Sequence, residues 1–194
     1  MWRFREVVAG VVLLVGIAGC AHREAPLPEV RLWTHMGDTV EFPTHFAGSV
    51  VLLAFFYVQC PDICPMIAER MRQIWEALPD KHRVRGVMIS FDPLRDTPER
   101  LREFAQVHEL PLGEFVLATG KPEAVEALTR AVDVVVQKSP TEFADDGTPV
   151  YFYAHSDVLL LLDGLGRVVG RYSGTEAPID RVVRDVQQLQ KRLP

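Results

Sequence analysis

Residues 50–65 have the sequence VVLLAFFYVQCPDICP, and this stretch organises the rest of the chain. The apolar run from Val50 to Val58 predicts a buried strand. Apolar residues recur at helical spacing between Ile63 and Leu78, and this pattern predicts a helix. Cys60 and Cys64 therefore lie where a strand ends and a helix begins.

The position of the two cysteines favours reactive sulfur. A helix N-terminus presents unpaired N–H groups and a partial positive charge, which lower the pKa of a thiol. Once the helix has begun, a four-residue spacing places both sulfurs on one face. A structural disulfide is the alternative, but it would close a very short loop and stabilise little. We therefore expect Cys60 and Cys64 to be a redox pair or a binding pair for a soft metal.

The first residues indicate export from the cytoplasm. An apolar run of 13 residues, Val7 to Gly19, follows two arginines; it is short for a membrane span and typical of a signal peptide. It ends in Ile-Ala-Gly-Cys, which resembles a bacterial lipoprotein cleavage box. We expect a signal peptide over residues 1–19 and lipidation of Cys20, with an uncleaved anchor or a plain signal peptide as alternatives. The expected location is the bacterial cell envelope, on its periplasmic or extracytoplasmic face, as a membrane-anchored lipoprotein.

Composition limits the remaining chain to one globular domain. The 194 residues are 48% hydrophobic and 24% charged, which is ordinary for a folded protein with a substantial core. The formal net charge is −5 and no basic block offsets it, so nucleic acid is not an expected partner. Residues 20–29 are polar and contain prolines, and they predict a tether. The domain is then expected over residues 30–194.

The order of the predicted elements indicates the fold class. Strands are expected at 31–34, 39–42, 50–58, 84–91, 114–118, 132–136, 157–162 and 167–172, and helices at 63–78, 97–108, 121–132 and 178–193. A parallel strand–helix–strand half thus precedes an antiparallel hairpin and a closing helix. This resembles a thioredoxin-like α/β fold, with a central mixed sheet flanked by helices and an N-terminal β-hairpin. His155 stands about where thioredoxins have a cis-proline.

Four sequence blocks resemble the SCO/SenC family of copper-binding cytochrome c oxidase assembly proteins. They agree with that family in residue type and in spacing, over about residues 42–193. The blocks are CPDICP at 60–65, SFDPLRDTPE at 90–99, His-Ser at 155–156, and DGLGR with YSG at 163–167 and 172–174.

The resemblance implies a copper site formed by Cys60, Cys64 and His155. Two thiolates and one imidazole suit Cu(I), a soft ion that favours sulfur, and they can also hold Cu(II) if water or a carboxylate adds a fourth ligand. Structural zinc would require four protein ligands. Asp62 and Asp92 are candidates for groups that orient or modulate the site. Alternatively, Asp62 caps the helix and Asp92 fixes the turn that follows it.

Two functions remain open at this stage. One is an extracytoplasmic metallochaperone that assists assembly of the copper centre of cytochrome c oxidase. The other is a thiol–disulfide reductase that keeps the copper-ligand cysteines of the oxidase reduced, which would be the only enzymatic activity expected. The predicted partners are the copper-bearing oxidase subunit, other copper chaperones or thiol reductants, and the membrane through the lipid anchor. A ligand histidine favours the chaperone, because a reductase does not need one; a thiol peroxidase is the weakest alternative.

Overall fold

The computed structural model describes residues 26–193. The predicted signal peptide and Cys20 lie outside these residues. Helices and strands follow the predicted order closely. The helices are α1 (Ile63–Ala77), α2 (Pro98–Val107), α3 (Pro122–Ala131) and α4 (Ile179–Gln190), and a short 3-10 helix spans Thr44–Phe46. The strands are β1 (Val30–Thr34), β2 (Thr39–Phe42), β3 (Val50–Phe56), β4 (Val84–Ser90), β5 (Phe115–Gly120), β6 (Val136–Lys138), β7 (Glu142–Phe143), β8 (Pro149–Val150), β9 (Tyr153–His155), β10 (Leu159–Leu162) and β11 (Val168–Tyr172).

Seven of these strands form one mixed sheet, in the order β11-β10-β3-β4-β5-β1-β2. The pairs β3–β4 and β4–β5 are parallel, and the hairpins β1–β2 and β10–β11 are antiparallel. Two small ribbons, β6–β9 and β7–β8, lie outside the sheet. The predicted fold class, a mixed sheet flanked by helices with an N-terminal hairpin, is confirmed.

Helices cover both faces of the sheet at its centre, which explains the unbroken apolar run of β3. Trp75 of α1 packs on Phe115, and Phe104 of α2 packs on Phe56, so these two helices share a face. Val125 of α3 lies near Gly120, on the opposite face. All seven residues of β3 are buried. A strand buried on both faces needs apolar residues at every position rather than at alternate ones.

The structure differs from the sequence-based expectation between α3 and β10. The strand expected at 132–136 begins only at Val136, because Val132 caps α3 and packs in the core. β9 was not predicted as a strand. It pairs only with β6, and Val136 lies opposite His155. Such short, partly exposed strands carry little hydrophobic periodicity.

One residue of the predicted tether packs against the domain. Leu27, placed in the tether by its sequence, is buried, and its N–H donates to the carbonyl of Gly166 at 3.0 Å. Leu27 therefore contacts the hairpin β10–β11 before β1 starts.

Candidate metal centre

The two cysteines are positioned by the loop between β3 and α1. The Cys60 N–H donates to the carbonyl of Tyr57 at 3.3 Å, which turns the chain as it leaves β3. Helix α1 starts at Ile63, so Cys64 lies in its first turn, and its N–H donates to the Cys60 sulfur at 3.4 Å. Cys64 is fully buried and Cys60 is 9% exposed. Neither sulfur is in a disulfide, and Cys60 is the only one of the two with any exposed surface.

The third group arrives from β9. The Nε2 atom of His155 lies 3.3 Å from the Cys64 sulfur, and Nδ1 lies 3.0 Å from the carbonyl oxygen of Ser156. A carbonyl oxygen can only accept, so Nδ1 is the donor in this contact and Nε2 is the ring atom that faces the sulfurs. The ligand atoms of Cys60, Cys64 and His155 all lie within 4.8 Å of one another.

The environment of the cluster shifts the pKa values of the two thiols in opposite directions. A hydrogen bond from the Cys64 side chain is the largest effect on Cys60 and, against burial, lowers the pKa of Cys60 to about 3. An interaction with His155 and the backbone N–H groups of Asp62 and Cys64 act in the same direction. The same hydrogen bond to Cys60, together with burial, raises the pKa of Cys64. The hydrogen bond between the two side chains therefore favours the thiolate on Cys60 and the proton on Cys64.

Aromatic rings enclose the histidine. The Phe91 ring centroid lies 5.0 Å from that of His155, and the Tyr57 ring lies 6.2 Å away, edge-on. The Tyr57 hydroxyl accepts the N–H of Tyr153 at 3.3 Å, which joins the loop that carries Cys60 to β9. The aromatic wall limits water around His155, which is half-buried.

Comparison with known proteins agrees with this site. The SCO1/SenC family model matches residues 24–191. The chain belongs to the SCO1/SenC family. Over 133 residues it is 32% identical to an SCO2-like protein of Rickettsia conorii. The match covers 68% of this chain and 62% of that relative, so it spans less than two thirds of the relative's length.

Two solved structures of Sco proteins superpose on most of this chain. The solution structure of apo Sco1 from Thermus thermophilus is 32% identical, with a TM-score of 0.69, and covers 85% of this chain and 92% of that one. The crystal structure of Arabidopsis thaliana ScoI with copper bound is 26% identical, with a TM-score of 0.68, and covers 84% and 99%.

Asp92 anchors the histidine-bearing ribbon rather than the cysteines. Its buried carboxylate accepts the hydroxyl of Tyr151 at 3.0 Å and pairs with Arg95 at 2.5 Å. The guanidinium of Arg95 lies 3.5 Å above the Tyr151 ring, and Lys138 contacts the same ring at 3.5 Å. In this SCO1/SenC chain Asp92 therefore holds residues 151–153, and through them the position of His155. A fixed turn is only part of its role.

Asp62 acts through its backbone. It is the N-cap residue of α1, but its exposed side chain makes no capping hydrogen bond, so that interpretation was wrong. Its N–H stabilises the Cys60 thiolate instead.

Asp96 is a buried acid that the sequence did not signal. It directly precedes α2, where a charged residue is usually solvated, yet it is 1% exposed. One carboxylate oxygen accepts the Ser90 hydroxyl at 2.6 Å and the Val58 N–H at 2.9 Å, and the other has no hydrogen-bond partner among residues 26–193. Burial, which outweighs these bonds, raises the pKa of Asp96. Asp96 thus fixes the backbone two residues before Cys60.

Proposed function

We propose that this SCO1/SenC protein binds one copper ion through Cys60, Cys64 and His155 and delivers it to the copper centre of cytochrome c oxidase. The observation that carries the proposal is the convergence of two sulfurs and one imidazole nitrogen from segments about ninety residues apart in the sequence. An arrangement that only exchanged disulfides would not need the imidazole.

The donor set fits copper better than other common metals. Two sulfurs and one nitrogen match the low coordination number and softness of Cu(I), whereas structural zinc uses four protein ligands. Within residues 26–193 the cluster contains three metal-binding side chains and no fourth. The copper-bound relative from Arabidopsis supports the same assignment.

X-ray absorption tests the ligand set directly. We expect the reduced full-length chain in detergent to bind one Cu(I), with two sulfurs and one nitrogen in its first shell. The matched variant H155A should retain both sulfurs, lose the nitrogen contribution and bind copper more weakly. A parent spectrum without sulfur would contradict the proposal.

Thiol–disulfide exchange is the second candidate, and the low pKa of Cys60 favours it. A thiolate beside a second thiol can attack a disulfide and be released by the partner thiol. We expect the Cys60–Cys64 disulfide to form reversibly and to abolish tight copper binding, because the thiolate is the form that binds metal. Equal copper affinity before and after mild oxidation would show that the thiols are not the ligands.

Cells carrying H155A distinguish the two functions. A chaperone should lose oxidase activity in these cells and recover part of it when copper is added to the medium. A reductase should keep near-normal activity, because the disulfide requires only the two sulfurs. Full oxidase activity together with unchanged copper affinity would remove the metallochaperone from consideration.

Anchoring through Cys20 completes the proposal. No helix between residues 26 and 193 is long and apolar enough to cross a bilayer. We infer that the signal peptide is removed, that Cys20 carries lipid, and that the domain works at the extracytoplasmic membrane surface. Metabolic labelling with a fatty-acid analogue should mark the parent and leave C20A unlabelled, and C20A should move to the soluble fraction. Labelling of C20A would contradict this assignment.

A further inference from the structure

Residues 133–156 form an extension outside the main sheet, called here the His155 ribbon. It contains the strands β6, β7, β8 and β9, and its last strand ends at His155. It therefore links the candidate copper site to an exposed surface outside the main sheet.

The His155 ribbon has two different faces. Tyr151, Tyr153 and His155 alternate along the chain and face the protein, where they contact Asp92 and Cys64. The residues between them, Phe152 and Ala154, are exposed. Because successive side chains of an extended strand point to opposite sides, Phe152 lies on the outward face.

The outward side and tip of the ribbon expose large apolar side chains. Among residues 26–193, four of the eleven exposed large hydrophobic residues lie in the His155 ribbon. They are Val135 (66% exposed), Phe143 (72%), Val150 (37%) and Phe152 (50%). Exposed apolar residues concentrated in one short segment indicate an interaction site, and aromatic residues are the usual anchors of such sites.

The ribbon is also acidic. It has four carboxylates, Asp133, Glu142, Asp145 and Asp146, and one lysine. That lysine, Lys138, is exposed, and its ammonium group lies 3.5 Å from the centroid of the Tyr151 ring. All four carboxylates are exposed, so the surface around the apolar residues presents negative charge to an approaching molecule.

We propose that the outward face of the His155 ribbon is the docking surface for the copper acceptor, a protein whose metal-receiving site is bordered by Lys and Arg around an apolar patch. This deepens the proposed function and rests on it. Charge selects the occupant, because opposite charges across an interface favour encounter and like charges oppose it. An anionic lipid surface and a second copy of this acidic ribbon would both be repelled. A basic acceptor docked here would lie beside His155, the ligand that links the ribbon to the cysteines.

The docking surface is tested by measuring copper transfer to the acceptor and acceptor binding in separate experiments. The donor is the full-length chain in detergent, loaded with Cu(I), and the acceptor is the copper-binding domain of the oxidase subunit from the same organism. F152S should slow transfer at subsaturating acceptor by about fivefold or more, as expected for loss of an aromatic anchor. V169S is the matched control, because Val169 is 49% exposed on β11, outside the ribbon, and this variant should transfer at the parent rate.

Two further measurements separate docking from damage to the copper site. Removal of copper by a small soluble chelator should proceed at the parent rate in F152S and V169S. Added salt should slow transfer by the parent, and the double variant E142Q/D145N should show a weaker dependence on salt. Accelerated chelator removal from F152S would assign its defect to the metal site and overturn the docking role.

Amide NMR shifts of the chain titrated with copper-free acceptor report binding without transfer. We expect the shifts to concentrate in residues 133–156 of the parent and to be weaker in F152S. Binding there without transfer would contradict copper delivery but leave the docking surface in place. Transfer that proceeds equally well in F152S and the parent would overturn the docking surface but not the delivery. Acceptor-induced shifts outside residues 133–156 would also overturn the docking surface. So would shifts in the ribbon that anionic vesicles or self-association produce and the acceptor does not.

Discussion

The two halves of the candidate metal centre are built in opposite ways. The cysteine half belongs to the junction of β3 and α1, where the strand is buried on both faces and Cys64 is fully buried. The histidine half belongs to a ribbon whose tip is exposed and whose base inserts Val134 into the core, while the segment that leads to His155 is held by tyrosines, Asp92 and Arg95. Core packing thus presets the two sulfurs, whereas a few polar anchors set the distance from His155 to them. Disulfide chemistry should therefore tolerate changes that copper binding does not.

Loss of a ligand should have the largest effect and should differ between the two halves. C64S removes one of the two soft donors, so we expect Cu(I) affinity to fall by more than the roughly 100-fold that loss of an outer-shell partner costs. H155A should cost less, because the dithiolate remains. Competition titrations with a Cu(I) chelator measure both variants. A greater loss for H155A than for C64S would contradict the view that the sulfurs dominate binding.

Loss of the Asp92 carboxylate, which anchors the His155 ribbon, should have the second-largest effect. D92N leaves the buried Arg95 without its carboxylate, and breaking such a pair costs about 3–5 kcal/mol of unfolding free energy. Copper affinity should fall about 10–100-fold through displacement of His155, while the Cys60–Cys64 disulfide should still form.

The matched control for this anchor is D163N. Asp163 pairs with Arg167 in the hairpin between β10 and β11, and this pair makes no contact with the ribbon anchors. Chemical denaturation should detect a loss of stability in D163N, and copper titration should detect none. Equal losses of affinity in D92N and D163N would indicate that Asp92 acts through global stability alone.

A substitution at Gly174 tests the packing between the cysteine half and the histidine half of the site. A Cβ atom added there would lie 2.5 Å from the carboxylate of Asp157, which follows the ribbon, and 2.8 Å from Ile67 on the cysteine helix. We expect G174A to lower the unfolding free energy by about 1–3 kcal/mol, the usual cost of overpacking. Copper affinity should fall modestly because both halves shift. G113A is the control, since a Cβ at Gly113 meets nothing within 4 Å; equal stability of the two variants would contradict this packing argument.

The smallest expected effect is a change in pH dependence at Asp96. Burial raises the pKa of Asp96, so its contribution to stability is present below the ordinary Asp pKa and is lost as the pH rises through the folded-state value. The unfolding free energy of D96N relative to the parent should therefore increase between about pH 4 and pH 7.

Asp163 should show a pH dependence of stability with the opposite sign. Burial acts to raise the pKa of Asp163, but hydrogen bonds from Arg167 and Leu165 outweigh it and lower the pKa overall. Its contribution is present in full above the ordinary Asp pKa and is lost as the pH falls below it, so the stability deficit of D163N relative to the parent should be nearly constant between about pH 4 and pH 7 and should shrink below about pH 4. Urea denaturation at a series of pH values measures both slopes. Parallel slopes would show that the environments of the two carboxylates do not differ as described.

Local features of this chain could be predicted because they depend on neighbours in the sequence. The run from Val50 to Val58 predicted a buried strand, which the structure forms over Val50–Phe56. The helix predicted from Thr97 starts at Pro98, and the Thr97 hydroxyl accepts the Arg100 N–H as a cap. The same reasoning failed for Asp62, which occupies the cap position without making the hydrogen bond. It failed for β9 because pairing with β6 depends on a partner nearly twenty residues away.

The sequence by itself determined that two cysteines lie at the start of a helix that follows a buried strand, because strand and helix periodicities act over a few residues. Resemblance to a family was needed to select His155 from six histidines. Only the tertiary structure brought its Nε2 atom to 3.3 Å from Cys64, buried Asp96 beneath the cysteine loop and turned Phe152 outward. These outcomes depend on contacts between segments far apart in the chain. Such contacts form only when the apolar surfaces of the sheet and helices exclude water together, and no local pattern records them.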